Sequence, residues 1–115
     1  MNLDEAIMAH MAWKKKLRAY LDNPDRSIKA DEVAVDNACV LGKWIAGEGR
    51  KYAALADFTT LVAEHARFHK AAAELVHRAD RGEKVDKELA LGSSGEFAQA
   101  TSKVVAAIAA MKQKV

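Results

Sequence analysis

Hydrophobic residues recur at helical spacing in four segments of this chain, and short polar stretches separate the segments. The first segment opens on Asn2, whose side chain can form a capping pair with Glu5. It is predicted to end near Asp22, because the residue before Pro24 disfavours helical geometry. The apolar stripe of this helix places His10 in the protein core. The stripe consists of Leu3, Ile7, His10, Trp13 or Lys14, Leu17 and Leu21.

A second helix is predicted to begin at Asp31 and Glu32, whose negative charge suits a helix N-terminus, and to continue to about Ile45. Cys39 lies on its apolar face, and Gly42 follows on the same face. A glycine inside a helix costs about 1 kcal/mol relative to alanine, so it usually has a packing reason. We expect Gly42 to allow close approach of a metal ion or a histidine ring. The face consists of Val35, Ala38, Cys39, Gly42 and Ile45.

The third helix is predicted to start between Lys51 and Asp57 and to end near Gly82. His65 and His69 lie in the centre of its apolar stripe. Two histidines four residues apart project from the same face of a helix, with Cβ atoms roughly 6 Å apart, so both can reach one metal ion. The stripe consists of Leu55, Phe58, Leu61, Val62, His65, Phe68, His69, Ala72, Leu75 and Val76.

The rest of the chain is predicted to form a short element and then a last long helix. The short element is a helix or an ordered connector from Val85 to Leu91, and Ser93-Ser94-Gly95-Glu96 has the pattern of a capping box. Apolar residues of the last helix follow a 4-3-4-3-4 spacing, which is a coiled-coil-like seam. The seam consists of Phe97, Thr101, Val104, Ile108, Met111 and Val115.

The composition agrees with an all-α protein. Half of the 115 residues are hydrophobic but only 6% are aromatic, and there is a single proline. This balance favours closely packed helices over a β-sandwich. We therefore predict one domain over residues 1–115, folded as an antiparallel four-helix bundle with the short extra helix or connector before the last helix.

The charge pattern and the cysteine count exclude several classes of function. The net charge is +2, and the basic cluster Lys14-Lys15-Lys16-Leu17-Arg18 lacks interleaved aromatics, so we expect a solvated helix surface and no nucleic-acid binding. No apolar run is long enough to span a bilayer and no signal peptide is visible, so we expect a cytoplasmic protein without membrane insertion. A single cysteine excludes an intramolecular disulfide.

The candidate chemistry lies in three histidines and the only cysteine, all on predicted core stripes. Taken singly, a buried histidine or cysteine is more often a structural residue. Three imidazoles buried without partners would be costly, however, whereas one zinc ion with bonds of about 2.0 Å to nitrogen and 2.3 Å to sulfur satisfies them all. His77 lies off the central stripe and is predicted to be a surface residue. The predicted ligands of this tetrahedral zinc site are His10, Cys39, His65 and His69.

Three motifs contain these residues: His10-Met-Ala-Trp13, Cys39-Val-Leu41-Gly42-Lys-Trp44 and His65-Ala-Arg-Phe-His69. They resemble the signature His-x-x-aromatic, Cys-x-apolar-Gly-x-aromatic and His-x-x-x-His of the chemoreceptor zinc-binding (CZB) domain family. The tail from Gly92-Ser93-Ser94 to Phe97-Ala98 is also similar to the start of the last helix in that family. The resemblance extends from Asn2 to about Lys114 and includes all four ligand positions.

The resemblance implies a four-helix zinc-binding bundle, often dimeric, that is fused to bacterial chemoreceptors or diguanylate cyclases. In those proteins the domain is a cytoplasmic regulatory input to chemotaxis or cyclic-di-GMP signalling. It responds to zinc, and in some proteins to hypochlorous acid through the zinc-bound cysteine. This chain contains no signalling or cyclase region, so we expect a free-standing domain or an excised fragment, with such a signalling protein as its partner.

We expect a regulatory zinc sensor that is not an enzyme, since four protein ligands leave no open position for water or substrate. A redox sensor is the alternative with the same site, because zinc holds the Cys39 sulfur as the thiolate that oxidants attack. A zinc hydrolase is disfavoured, since positions 66 to 68 contain no Glu as in His-Glu-x-x-His. A di-iron bundle is also disfavoured, since paired Glu-x-x-His motifs on two helices are absent. We also expect a homodimer, because a small alanine-rich bundle is marginal alone and the seam of the last helix can supply an interface.

Overall fold

Residues 2–37 and 39–114 are described by a computed structural model, and within them the chain forms helices and no strand. The all-α prediction is confirmed. The predicted core positions Ala38 and Val115 lie outside the described residues. The helices are α1 (Leu3–Asp22), α2 (Ala30–Ala34), α3 (Val40–Ala46), a 3-10 helix (Glu48–Tyr52), α4 (Ala56–Asp80), α5 (Lys87–Leu91) and α6 (Glu96–Lys112).

The first helix, α1, begins and ends where the sequence predicts. The side-chain oxygen of Asn2 accepts hydrogen bonds from the backbone N–H groups of Asp4 at 2.8 Å and Glu5 at 3.2 Å. These bonds satisfy two donors that the first turn of a helix leaves without a backbone partner. The apolar face of α1 buries His10 and Leu17, so the histidine occupies the predicted core position.

The longest helix, α4, is confirmed as well, with 25 residues. It packs against α1, α2 and α6, and each large apolar side chain that it buries contributes about 1.5–3 kcal/mol to stability. Val62, which the sequence assigns to the buried stripe, is instead 39% exposed. The most deeply buried residues of α4 are Leu61, His65, Phe68, Ala72 and Val76.

The predicted second helix is not continuous, because it is divided into α2 and α3. The described residues between the two are not helical. Cys39 has extended backbone angles, and its sulfur accepts a hydrogen bond from the N–H of Gly42 at 3.3 Å, so it is the N-cap residue of α3. The prediction that Cys39 lies on a helical stripe is therefore wrong. Cys39 caps the N-terminus of α3 and lies outside the helical residues.

Gly42 permits a close contact with the segment that divides the helix. A Cβ atom at this position would lie 1.8 Å from the backbone oxygen of Asp36 and 2.9 Å from Cα of Asn37. Glycine is the residue that allows one backbone to approach another so closely. The expectation that Gly42 makes room for a metal ion or a histidine ring is therefore wrong, and the neighbour that it accommodates is the backbone before Cys39.

Contacts at the helix ends fix the directions of the helices. Lys112 at the end of α6 pairs with Asp4 at the start of α1 at 2.6 Å, so these two helices are antiparallel. The Tyr20 hydroxyl at the end of α1 donates to the Asp80 carboxylate at the end of α4, so α1 and α4 run parallel. The α2–α3 segment runs opposite to α4. The directions alternate along the chain, as in an antiparallel four-helix bundle whose second helix is divided.

The last helix, α6, lies in the core but begins without the predicted capping box. The short element before it is confirmed as α5, with the Asp86 side chain as its cap. Gly95 is the N-cap residue of α6, and no side chain of the described residues caps the helix there. Glu96 instead pairs with Arg67 of α4 at 3.1 Å. The seam of α6 is buried within the chain, so it does not supply an interface. The exposed fraction is at most 2% for each of Phe97, Val104, Ile108 and Met111.

The basic cluster of α1 lies on the surface, as predicted. Lys14, Lys15, Lys16 and Arg18 are exposed, and Leu17 between them is buried. Lys16 lies over the ring of Trp13, with its Nζ atom 4.9 Å from the ring centroid. In the part of the chain that the structure describes, the helices are too short or too polar to cross a membrane.

Candidate metal centre

Four side chains of metal-binding type converge between α1, α3 and α4. One atom of each, a histidine nitrogen or the cysteine sulfur, lies within 4.8 Å of the others. The structure thus brings together every residue that the sequence singles out as a ligand. His77 is exposed on α4, as predicted. The members of the cluster are His10, Cys39, His65 and His69.

His65 and His69 are positioned by a single turn of α4. Their four-residue spacing puts both rings on the buried face of the helix. The two Nε2 atoms are 3.0 Å apart, and the ring centroids are 4.5 Å apart. The side chains are buried, with residue exposures of 2% and 5%. Two basic nitrogens at this separation attract a proton or a metal cation between them.

Backbone carbonyls orient two of the rings. Nδ1 of His10 donates a hydrogen bond to the carbonyl oxygen of Ala6 at 2.7 Å, and Nδ1 of His69 donates to that of Val33 at 2.8 Å. A carbonyl oxygen only accepts, so each neutral ring carries its hydrogen on Nδ1 and its lone pair on Nε2. Phe68 packs edge-on against His10, with 4.9 Å between ring centroids. Hydrogen bonds on the far nitrogen are the usual arrangement around histidine ligands of a metal.

Cys39 completes the cluster from the start of α3. Its Sγ atom lies 3.3 Å from Nε2 of His65 and 3.6 Å from Nε2 of His69. The N–H of Gly42 also donates to this sulfur. Cys39 is half-buried, whereas the three histidines are buried. Cys39 is therefore the most exposed residue of the cluster, and its sulfur as a thiolate is a strong ligand for a soft or borderline metal.

The separations among the donor atoms of Cys39, His65 and His69 fit a tetrahedral metal ion, and with the donor of His10 the cluster spans up to 4.8 Å. Bonds of about 2.05 Å to nitrogen and 2.3 Å to sulfur would place two nitrogens about 3.3 Å apart, and a nitrogen and the sulfur about 3.6 Å apart. The observed separations are 3.0 Å between the two α4 nitrogens, and 3.3 and 3.6 Å from these nitrogens to sulfur. Both sets agree within a few tenths of an ångström. Three imidazoles and one thiolate are a donor set typical of zinc.

Burial keeps His65 and His10 in the uncharged form that binds metal. Burial, together with the charges that His69 and His10 would carry, lowers the pKa of His65 from 6.5 to about 3. Burial also lowers the pKa of His10; the hydrogen bond to the Ala6 carbonyl opposes this shift and His69 adds to it. His65 and His10 are therefore neutral at pH 7 and need not lose a proton before a metal binds.

Sequence reasoning missed the groups that orient the rings. The carbonyl of Ala6 could have been found from spacing, because it lies four residues before His10 in the same helix. The carbonyl of Val33 could not, because it reaches His69 only through the packing of α2 on α4. Every residue type carries a backbone carbonyl, so the sequence contains no signal for this second partner.

Comparisons with known proteins identify the family. The family model of the chemoreceptor zinc-binding domain matches residues 10–76, which is more than half of the chain and includes every member of the cluster. Neither the curated proteins nor the solved structures contain a significant match. Zinc is the cofactor of this family, and the cluster is able to hold it. The chain therefore belongs to the chemoreceptor zinc-binding domain family.

Proposed function

We propose that this chain is a regulatory zinc-binding module that binds one zinc ion. The observation that carries the proposal is the convergence of four donor atoms within 4.8 Å of one another. Two of the rings already have their Nδ1 hydrogens bonded to carbonyls, which supports binding through Nε2. The proposed ligands are His10, Cys39, His65 and His69.

The donor set supports a regulatory role in preference to catalysis. Three imidazoles and one thiolate fill a tetrahedral shell, so no position is left for water or substrate. A zinc hydrolase also needs a general base beside the ion. Glu64, the acidic residue that precedes His65 in the sequence, is not free to act as this base, because its carboxylate pairs with Arg67 at 3.3 Å and lies 3.9 Å from the Lys103 ammonium.

We propose that zinc acts by tying three parts of the chain together. His10 attaches α1 and Cys39 attaches the start of α3 to the two histidines of α4. The presence of the metal then changes how firmly α1 and the α2–α3 segment pack, and a partner protein reads that difference. The family resemblance supports a bacterial chemoreceptor or diguanylate cyclase as this partner, acting in the cytoplasm.

The test combines metal content with matched variants. Protein purified without chelator is expected to contain one zinc per chain by elemental analysis. His69→Ala is expected to lower zinc affinity at least about 100-fold in competition with a chromophoric chelator, since loss of a ligand's hydrogen-bond partner alone costs 10–100-fold. His77→Ala, an exposed histidine of the same helix, is the control and should bind like the parent. If the control loses as much affinity as His69→Ala, the ligand set is wrong.

A second function is favoured by the position of Cys39, which is half-buried while the three histidines are buried. We propose that an oxidant such as hypochlorous acid reaches this sulfur. Zinc holds the sulfur as a thiolate, and oxidation to sulfenic acid weakens its bond to the metal. Titration with hypochlorous acid should release zinc in step with sulfenic acid formation seen by mass spectrometry. Zinc release without modification of Cys39 would contradict this function.

A further inference from the structure

A cleft between α1 and α3 adjoins the metal centre. Its volume is about 400 Å³, and three members of the cluster line it: His10, Cys39 and His69. The remaining lining is largely apolar and includes Ala9, Trp13 and Val40. A space of this size holds a small molecule, and it is far larger than one metal ion.

A second cavity lies on the opposite side of the cluster and differs in chemistry. Its volume is about 500 Å³, but His65 is the one member of the cluster that lines it. Its lining includes one basic residue, Arg50, which repels a metal cation, and one acidic residue, Asp36, which attracts one. The α1–α3 cleft has a single charged lining residue apart from the cluster, Glu5, and its carboxylate attracts a cation.

Because the cluster is buried, a metal ion needs a route from solvent to reach it. The three histidines are at most 5% exposed, so an ion from solvent cannot meet them without passing through a cavity. Cys39 is the half-buried member, and it lines the α1–α3 cleft. An ion that enters there meets the sulfur and two imidazoles, whereas an ion in the opposite cavity meets a single imidazole.

We propose that the α1–α3 cleft is the route by which zinc, and any chelator that removes it, reaches the metal centre. The inference rests on the proposed zinc site. Side chains that line the cleft then control the rates of zinc uptake and release. The lining side chains that are not ligands, such as Ala9 and Val40, do not control the affinity, because they change both rates by the same factor.

Filling the cleft is the first test, and the opposite cavity provides a matched control. Ala9 lines the α1–α3 cleft and Ala46 lines the opposite cavity; both are exposed helical alanines. Ala9→Phe is expected to slow zinc uptake and release about tenfold, which corresponds to about 1.4 kcal/mol in each barrier. Ala46→Phe should exchange zinc at the parental rates. Stopped-flow measurement with a chromophoric chelator gives release, and mixing metal-free protein with zinc gives uptake.

Opening the cleft is the second test, and it does not depend on whether Ala9→Phe folds. Val40 lines the cleft and is 67% exposed, and Val62 lines the opposite cavity and is 39% exposed. Val40→Ala is expected to accelerate uptake and release, and Val62→Ala is expected to change neither rate. Glu5→Gln should slow uptake, and this effect should shrink as salt is added because ions screen the charge.

The outcomes separate this inference from the proposed function. A parent chain that binds no zinc overturns the proposed site and the route with it. Normal zinc affinity with unchanged rates in both Ala9→Phe and Val40→Ala overturns the route alone. Equal slowing by Ala9→Phe and Ala46→Phe also overturns it, since the cleft would then have no special role. The route is supported when both cleft variants change the rates in opposite directions at constant affinity.

Discussion

His65 is surrounded by other imidazoles at the centre of the site, with ring centroids 4.5 Å from His69 and 5.2 Å from His10. Its residue exposure is 2%. Water cannot solvate a charged ring there, and two neighbouring rings would repel it, so its pKa falls to about 3. The burial of His65 therefore favours its neutral ring, which is also the form that can bind a metal.

We expect the metal-free protein to lose free energy of unfolding as the pH falls below 6.5. Above that pH the His65 ring is neutral in both states, whereas between 6.5 and about 3 only the unfolded state binds the proton. The slope approaches about 1.4 kcal/mol per pH unit for each histidine that the fold keeps neutral. Urea unfolding at pH values on either side of 6.5 measures it. His65→Gln should reduce the slope and His77→Gln should keep it; a flat profile for the parent contradicts the argument.

Gly42 is the second residue with a predictable effect. In Gly42→Ala the new methyl group would lie 1.8 Å from the Asp36 oxygen, so the segment before Cys39 must move. We expect a loss of about 1–3 kcal/mol in the free energy of unfolding, as for other overpacked sites. Zinc affinity should fall as well, because the displaced segment leads into Cys39 and its movement would shift the sulfur. The control is Lys43→Ala, an exposed neighbour in α3 that should change neither quantity.

The long helices could be predicted from the sequence, whereas the break in the second one could not. Asn2 is a strong cap, and the apolar stripes of α1, α4 and α6 repeat over many turns, so local signals agree with the fold. Cys39 is not a usual cap residue, and the fit between Gly42 and Asp36 is a tertiary contact. The histidine candidates were predictable because helical spacing places them on core stripes, whereas Cys39 was chosen from a helical stripe that the structure does not form. Their convergence at one point depends on packing between helices.

The helix α1 is attached unevenly to the rest of the chain. Its C-terminal half is fixed by buried Leu17 and by the hydrogen bond from Tyr20 to Asp80. Its N-terminal half contributes His10, which packs against Phe68 of α4 and would be tied more firmly to α4 by a bound metal. Removal of zinc should therefore loosen the first half of the helix and leave the second half in place.

We expect metal-free protein to keep most of its helical circular dichroism, because its apolar core does not depend on zinc. Hydrogen exchange should rise in α1, most strongly before Leu17, and in the segment that precedes α3. Tyr20→Phe removes the hydrogen bond to Asp80 at the C-terminal end of α1. In this variant the rise in hydrogen exchange should extend to all of α1. Two results would contradict this: complete unfolding on chelation, or exchange that does not change anywhere.

At the scale of the whole molecule, we propose that two chains associate through α1. The seam of α6 is internal, so an interface needs other apolar side chains. Met8 and Met11 on α1 are 69% and 57% exposed, and exposed apolar side chains that lie close together mark interaction surfaces. Their helical spacing of three residues puts them on one face.

Sedimentation equilibrium at micromolar concentration should show twice the mass of the 12.5 kDa chain. Met11→Glu is expected to shift the equilibrium to the single chain, because a charge in an apolar interface is costly. Leu89→Glu is the matched control, since Leu89 is 67% exposed on α5 and lies on a different element. A parent protein that sediments as a single chain, or equal effects of both variants, would count against association through α1.

The central claim is that one zinc ion is held by three imidazoles and one thiolate of the same chain. X-ray absorption at the zinc edge tests it most directly, because the method counts donor atoms by type and distance. The parent should give three nitrogen neighbours at about 2.0–2.1 Å and one sulfur at about 2.3 Å. Cys39→Ala should lose the sulfur shell and keep the nitrogens. A parent spectrum without sulfur, with two sulfurs, or with mainly oxygen neighbours would contradict the proposed ligand set.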